Sequence, residues 1–473
     1  MNAMHYLGAV IVLLLIAGIG VYSGKQIKSA SDFGGGGKTT GAGIVAGTII
    51  GTLVGGASTI GTSQLAFNFG FSAWWFTLGG GIGVLIMALF LAKPLYNSGV
   101  STLPQLISNE YGGKAATATT FLTSIGSFLS VVSQVLSGIT LITAVSTMNS
   151  TIATILVIAL MLCYVIFGGA LGAGMVGIAK TILLYVSVGA CGIIAVVSQG
   201  GLQEFTNNVL LPHAQYFSLV ARGPAKDLGA CVSLILGVMT TQAYISAVVS
   251  AKTLKHSKGG LFLSALLIPV VGVAGIFVGM YQRLNCPFEA GTPEFVTAAA
   301  QALPNFVLDH LPPVLAGATL ATLLVAVVGT GAGVSLGMSS MFCNDVYKKY
   351  INKNASDTKN LLVARVVVAV ILVVAALFTL GDMGTLILEW SFLSMGLRGA
   401  VAFGPLLGAL FLKGKIDGKF AFAATIAGPV VVLISKFTIT GIDPLFPGLA
   451  ASILVLVIGL IVGPKNKTAV SKN

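Results

Sequence analysis

Apolar runs long enough to cross a membrane recur along the whole chain, separated by short connections that hold most of the lysine. A helical crossing takes roughly 20 predominantly apolar residues, and about thirteen runs meet that length. Their approximate spans are 5–23, 41–68, 72–97, 115–147, 150–168, 173–199, 227–250, 258–282, 312–343, 360–381, 384–412, 417–437 and 444–463. Runs 41–68 and 312–343 exceed a straight crossing, so tilt, kinks or breaks are expected there. Composition removes the alternatives. Of 473 residues, 56% are hydrophobic and 8% are charged, whereas about a quarter of a soluble domain is charged. So little charge does not cover a water-exposed surface, and so apolar a chain does not stay disordered. The net charge of +12 is spread through the connections and forms no patch, so nucleic acid is not a partner. What remains is an all-α polytopic membrane protein, with lipid as its surroundings. The first run has only His5 before it and neither a charged n-region nor a cleavage site, so it reads as a retained helix.

Charge placement gives an orientation. With the N-terminus outside, eighteen of the 25 Lys and Arg residues fall in connections on the inner side, including Lys25, Lys28, Lys465, Lys467 and Lys472. The outer connections carry three, Arg222, Lys226 and Arg283. This positive-inside bias predicts an integral plasma (inner) membrane protein with its C-terminus in the cytoplasm. It also accounts for the basic balance without a polyanionic partner.

Glycine is the other unusual count, at 61 residues. Gly43, Gly47, Gly51 and Gly55 recur at every fourth position and share one helix face, which suits close helix packing in lipid. At Gly51–Gly56, followed by Ser58 and Thr59, a second reading stands beside packing: the helix unwinds and presents carbonyls to a cavity. Another candidate break lies at Gly237–Thr241, where Thr240, Thr241 and Gln242 interrupt an apolar helix. The breaks fall in the first helices of two five-helix blocks, 41–199 and 227–412. Five is odd, so the second block is inverted relative to the first, and broken helices at matching places in inverted repeats mark a transporter binding site. Residues 1–40 then form an extra helix and inner loop, 200–226 an outer loop, and 413–473 two extra helices and an inner tail.

Four strings carry a family resemblance. GTSQLAFNFGFSAWW (Gly61–Trp75), STLPQLISNEYGG (Ser101–Gly113), SMFCNDVYKKYI (Ser340–Ile351) and AFGPLLGALFLKGK (Ala402–Lys415) resemble, in order and spacing, stretches of the sodium/solute symporters. The resemblance spans most of the chain. It implies a fold like the bacterial leucine transporter, with two inverted five-helix repeats and alternating-access transport of a small solute driven by sodium. Carried over residue by residue, the family's sodium site falls on the carbonyls of Gly51, Val54 and Ala326 and the hydroxyl positions Gly329 and Thr330.

Two departures follow. The family has adjacent Ser/Thr where this chain has Gly329 and Thr330, so one oxygen ligand of a hard cation is missing. In the sixth helix a Trp-Thr-Asp-x-x-Gln string is replaced by MVGIAK (Met175–Lys180), which puts Gly177 at the acidic position and Lys180 at the glutamine. A lysine at a helix centre costs about 3 kcal/mol or more on insertion scales. One reading is that the Lys180 ammonium, with three donors, occupies the sodium position and bonds Gly51, Val54, Ala326 or Thr330. Transport is then sodium-independent. It is proton-linked if Lys180 gives up its proton during the cycle, as a buried lysine can. If the charge stays, the protein is a uniporter or exchanger. The competing reading is that Lys180 lies about two turns from the inner end and snorkels to water. The protein is then a conventional sodium symporter with a weakened site.

Arg398 sits in the eleventh run, where it either binds an anionic solute such as a carboxylate or holds backbone carbonyls. Glu389 lies near the outer end as a gate or interfacial residue. Thr59, Gln64, Thr240, Thr241 and Gln242 flank the predicted breaks and are the candidate solute contacts. Trp74, Trp75 and Trp390 read rather as interface anchors. His5, His213, His256 and His310 fall near helix ends, away from a proton path. Cys163, Cys191, Cys231, Cys286 and Cys343 show no metal-ligand spacing, so no metal beyond sodium, and no cofactor, is expected. An enzyme lacks its acid/base or metal constellation. A channel lacks a continuous polar lining, and a sensor lacks an appended domain. The sequence leaves the solute among small molecules such as carboxylates and amino acids.

Overall fold

In the computed structural model the chain is predominantly helical. It describes residues 1–24, 38–210, 212, 214–380, 386–439 and 441–463, with the backbone alone at 166–173 and 357. Lys25, Lys28, Lys465, Lys467, Lys472 and His213 lie outside these residues.

An outlying helix, α1 (Ala3–Gly24), precedes the first repeat. That repeat opens with α2 (Ala42–Leu53), a break, a π turn at Ala57–Gly61, and α3 (Thr62–Phe69). It continues with α4 (Trp75–Ile86), which passes through a π turn at Met87–Leu91 into α5 (Ala92–Asn97). The short α6 (Leu103–Tyr111), then α7 (Gly113–Val145) and α8 (Ser150–Val197) complete it. After α9 (Leu202–Leu210) the second repeat opens with a broken pair, α10 (Pro224–Thr240) and α11 (Gln242–Val249). Then come α12 (Leu254–Leu284), the short α13 (Pro293–Ala300) and α14 (Ala302–His310), α15 (Pro313–Phe342), α16 (Asp357–Thr379) and α17 (Ile387–Phe411). Two further helices, α18 (Gly418–Thr438) and α19 (Leu445–Val462), follow and pack on each other.

Every expected apolar run lies on helix, and the two first helices of the repeats are the broken ones. Among the described residues, ten helices are long and apolar enough to cross a membrane by themselves, and the α10–α11 pair, bent by 46°, adds one. The run at 312–343 stays helical from α15 into a π-type stretch at Cys343–Ile351 instead of breaking. The two runs at 150–168 and 173–199 share the single helical stretch α8, whose apolar parts are Ser150–Val165 and Gly174–Val197.

Local chemistry explains the helix starts. Thr102, Asn149, Thr253 and Ser356 accept a bond from a backbone N–H in the first turn of α6, α8, α12 and α16. Pro224 and Pro313 occupy opening positions where the missing N–H costs nothing. Burial is inverted relative to a soluble protein. Ile182, Val186 and Ile193 of α8 and Val366, Val370 and Leu377 of α16 point outwards, while Ser, Thr, Lys180 and Arg398 are inside. Lipid rewards apolar surface outside, so packing inside relies on small residues and hydrogen bonds.

The connections gather at two ends. At the lysine-rich end, Thr40 N donates to Ser250 O (3.1 Å), Tyr96 Oη to Lys252 O (3.1 Å) and Lys349 Nζ to Ser108 Oγ (3.3 Å). At the lysine-poor end, Trp75 Nε1 donates to Leu219 O (2.6 Å) and Lys226 pairs with Glu389 (2.7 Å).

Candidate functional site

The first break is built by three side chains. Val54 turns extended (φ −85°, ψ 93°) after α2. Gly55 N donates to Ser58 Oγ (2.8 Å), Thr59 Oγ1 donates to Gly55 O (2.8 Å), and Gly56 N donates to Gln134 Oε1 of α7 (2.8 Å). Protein side chains thus satisfy the backbone groups of Gly55 and Gly56 at the break. The carbonyls that end α2 lose their helical partners and carry its negative dipole end, which favours a cation.

The Lys180 side chain reaches those carbonyls. Its Nζ donates to Gly51 O, to Ala326 O (3.2 Å) and to Thr330 Oγ1 (3.0 Å). Thr330 Oγ1 in turn lies 3.1 Å from Gly51 O and 3.4 Å from Val54 O. An ammonium has three donors, and three acceptors meet them. Lys180 is 1% exposed, so the snorkelling alternative fails: the side chain runs into the bundle rather than toward the lysine-rich end. Among the described residues no carboxylate pairs with it.

Close approach of α2 and α8 makes the reach possible. A Cβ on Gly177 would lie 2.1 Å from Gly47 O, and one on Gly47 would lie 2.5 Å from Gly174 O. Only hydrogen fits at this crossing. Lys180 lies one turn beyond Gly177, and Gly51 one turn beyond Gly47, so the crossing sets ammonium against carbonyl. The Gly43–Gly55 stripe thus divides: Gly47 packs on α8 while Gly55 faces Thr330 and Gln134 at the break. A Cβ on Gly329, the position lacking a hydroxyl, would lie 3.6 Å from Lys180 Nζ and 3.5 Å from Tyr164 Oη, ordinary contact distances.

The second break is at Thr241 (φ −78°, ψ 121°). Thr240 Oγ1 donates to Leu236 O (2.9 Å) and Thr241 Oγ1 to Gly237 O (2.6 Å). Thr241 Oγ1 also accepts from Arg398 Nη1 (2.8 Å). Arg398 is 1% exposed and sits on the seam between α7 and α17. There Ser130 Oγ meets Ser394 Oγ (2.7 Å), and Ser391 Oγ donates to Ser133 Oγ (2.8 Å).

The structure gives the two glutamines other partners than a solute in this conformation. Gln242 Oε1 accepts from Leu103 N (2.9 Å), the first residue of α6, while its Nε2 donates to Ser101 O (3.0 Å). Gln64 Oε1 accepts from Ile387 N (3.0 Å), the first residue of α17. Each amide ties a broken helix to the start of another helix, Gln242 at the lysine-rich end and Gln64 at the other. Replacing Gln242 by Ala should make the α6 amides exchange hydrogen about five- to tenfold faster while the start of α17 is unchanged, since one bond of about 1 kcal/mol is lost. Gln64→Ala should do the reverse. Peptide-resolved hydrogen exchange reads both, and equal acceleration at both ends by either variant would contradict the assignment.

Several buried polar residues escape sequence reasoning. Gln134, Ser130, Ser133 and Ser137 form a stripe on α7 whose signal is the i, i+3, i+4 and i+7 spacing of polar residues in an apolar helix. Asp227, at the start of the run 227–250, is buried with Arg222 (2.7 Å) and accepts from Ser72 Oγ (2.6 Å). Asp345 is buried at the lysine-rich end and accepts from Thr102 Oγ1 (3.0 Å). Buried ionisable groups are thus more numerous than Lys180, Arg398 and Glu389, and Glu389 is itself 44% exposed. The Trp74 indole donates to Pro269 O inside α12 (2.9 Å), while Trp75 holds Leu219 of the outer connection. Among the described residues no three of His, Cys, Asp and Glu come together as a metal site.

The profile of the sodium:solute symporter family matches residues 33–428. The chain belongs to the sodium:solute symporter family. An uncharacterised symporter of Bacillus subtilis, YwcA, is 25% identical over 403 residues, covering 80% of this chain and 75% of that one. The osmoregulated proline transporter OpuE of the same organism is 23% identical over 472 residues, covering 96% and 93%. A solved structure of a Na+-coupled sialic acid symporter, substrate-bound and outward-open, superposes with a TM-score of 0.78 at 16% identity and covers 98% of each chain. The fold is therefore that of a symporter with two inverted five-helix repeats, and the protein is a membrane transporter rather than an enzyme.

Proposed function

We propose that this symporter-family transporter moves a small organic solute by alternating access with Lys180 in place of the coupling sodium ion. The observation that carries the reading is the contact set of Lys180: Gly51 O, Ala326 O and Thr330 Oγ1 are oxygens that the family resemblance assigns to sodium. Gly329 lacks the further hydroxyl that a sodium ion would use, and the lysine has no need of it. A charged Lys180 ties α2, α8 and α15 together. Releasing its proton removes the charge and one donor, which loosens the tie and lets the repeats rock. The lysine-rich end faces the cytoplasm by the positive-inside bias, so acid outside and a less acid interior drive uptake.

Relatives supply the first probes, proline from OpuE and sialic acid from the structural neighbour. In proteoliposomes, labelled proline, sialic acid and pyruvate are offered under a sodium gradient or an imposed pH gradient with choline as the only monovalent cation. Accumulation is expected under the pH gradient and unchanged by sodium. Accumulation of any of the three that requires sodium would restore the conventional symporter with a weakened site.

A further inference from the structure

We infer that Arg398 is the recognition point for a carboxylate on the transported solute, which places the substrates of this protein among small organic anions rather than neutral sugars or polyols. Arg398 lies at the middle of α17, 1% exposed. Every group it touches is neutral. Nε donates to Ser394 O (3.3 Å), Nη1 to Thr241 Oγ1 (2.8 Å), and Nη2 to Ser130 Oγ (3.1 Å), Ser394 Oγ (3.2 Å) and Met395 Sδ (2.9 Å). Among the described residues no carboxylate bonds or pairs with it. The buried acids lie elsewhere, Asp227 with Arg222 and Asp345 with Thr102.

Hydroxyls orient a guanidinium but do not neutralise it. Taking an ion out of water costs several kcal/mol unless an opposite charge is supplied, and a neutral side chain would serve the serine seam at lower cost. The missing charge is one that a ligand brings. Nη1 has two hydrogens and, among the described residues, one acceptor, so one donor is left for it. A guanidinium presents paired donors in a plane, which a carboxylate matches and a single hydroxyl does not.

The surroundings fit the same ligand. Thr241, held by Arg398, is the residue at which α10 gives way to α11. The N–H groups of Gln242 and Ala243 open α11 and lack intrahelical acceptors, as at any helix start. Their positive dipole end adds to the charge of Arg398. On α15, Gly337 faces this start: a Cβ there would lie 3.7 Å from Ala243 N and 3.8 Å from Gln242 Cβ. Arg398 thus meets the second helix break from the α7–α17 seam, and Gly337 of α15 faces the same break.

The inference rests on the transporter reading and deepens it, but does not depend on how transport is coupled. It is tested on the purified full chain in choline chloride by thermal unfolding with pyruvate, lactate and L-proline, each beside its amide, and with myo-inositol and inorganic phosphate. At least one carboxylate should raise the melting temperature, with its amide at least tenfold weaker. Arg398→Gln should lose the shift, and Arg398→Lys should need at least tenfold more ligand. An acid and amide of equal potency, a response to myo-inositol without one to any carboxylate, a response to phosphate alone, or silence across all three acids in both choline and sodium chloride would overturn it. So would an Arg398→Gln variant that responds like the wild type. Should that variant not fold, the acid–amide comparison on wild type still decides. Repeating the series in sodium chloride separates the two proposals. A carboxylate shift that appears only with sodium contradicts the coupling reading and leaves the acid–amide difference standing.

Discussion

Replacing Lys180 by Ala is expected to abolish transport, and adding Gly329→Ser to restore it under sodium control. The single variant leaves Gly51 O, Ala326 O and Thr330 Oγ1 without their shared donor. Losing two or more charge-assisted bonds of about 1.5 kcal/mol each lowers transport about 100-fold or more. The vacated position is lined by the carbonyl oxygens of Gly51 and Ala326 and the hydroxyl of Thr330, which lies 3.4 Å from Val54 O. A serine at 329 fits sterically, since its Cβ would sit 3.5 Å or more from the nearest atoms of Tyr164 and Lys180. With that hydroxyl the oxygen set again suits a hard cation. Labelled-solute uptake with sodium or choline reads the exchange: wild type indifferent to sodium, Lys180→Ala inactive in both, and the double variant active in sodium alone. A Lys180→Ala variant that transports normally removes the lysine from the mechanism.

Gly177→Val should be the most damaging single substitution at the α2–α8 crossing. Its Cβ would meet Gly47 O at 2.1 Å and Gly47 C at 2.9 Å. Both are backbone atoms, so no rotamer relieves the clash and α8 must move away from α2. Overpacking of this kind costs on the order of 1–3 kcal/mol, and more where backbone is hit. The displacement also pulls Lys180 from Gly51, so uptake should fall together with melting temperature. Gly43→Ala, on the same face, is the control. Its Cβ would meet only Ile178 Cδ1 at 4.0 Å, and it should alter stability by less than about 0.5 kcal/mol. Matching melting temperatures for Gly177→Val and wild type would contradict the packing account.

Much of this arrangement was legible in the sequence because lipid imposes simple rules. Length and apolarity located the helices, and glycines beside Ser58 and Thr240 marked the two breaks. Lys180 stood out because an intramembrane charge needs a reason. The same reasoning left its direction open, since a lysine near a helix end reaches water as easily as a partner. What decided it was the crossing at Gly47 and Gly177, a contact between residues far apart in the chain. The partners of the two glutamines were hidden for a similar reason. Gln64 and Gln242 lie beside the breaks, yet their partners Ile387 and Leu103 come from other helices. The α7–α17 serine seam was hidden because Ser and Thr in membrane helices usually bond their own preceding turn, as Ser137 does with Ser133 O (2.8 Å). Arg222 looked like a loop charge, and Asp227 at the start of the run 227–250 gave no sign of its partner. Their burial follows from the stretch 214–223 folding back, with Tyr216 Oη on Phe67 O (2.8 Å) and Trp75 on Leu219.

The replacement of sodium by Lys180 is tested most directly by melting the purified protein in sodium chloride and in choline chloride of equal strength, with no solute present. A protein that binds an ion when folded is stabilised by it, by about 2.7 kcal/mol at a hundred times the dissociation constant. The wild type should melt at the same temperature in both salts, and the Lys180→Ala/Gly329→Ser variant should melt higher in sodium. A wild type stabilised by sodium, saturably and not by choline, would show that the ion still has its site and that Lys180 does not fill it.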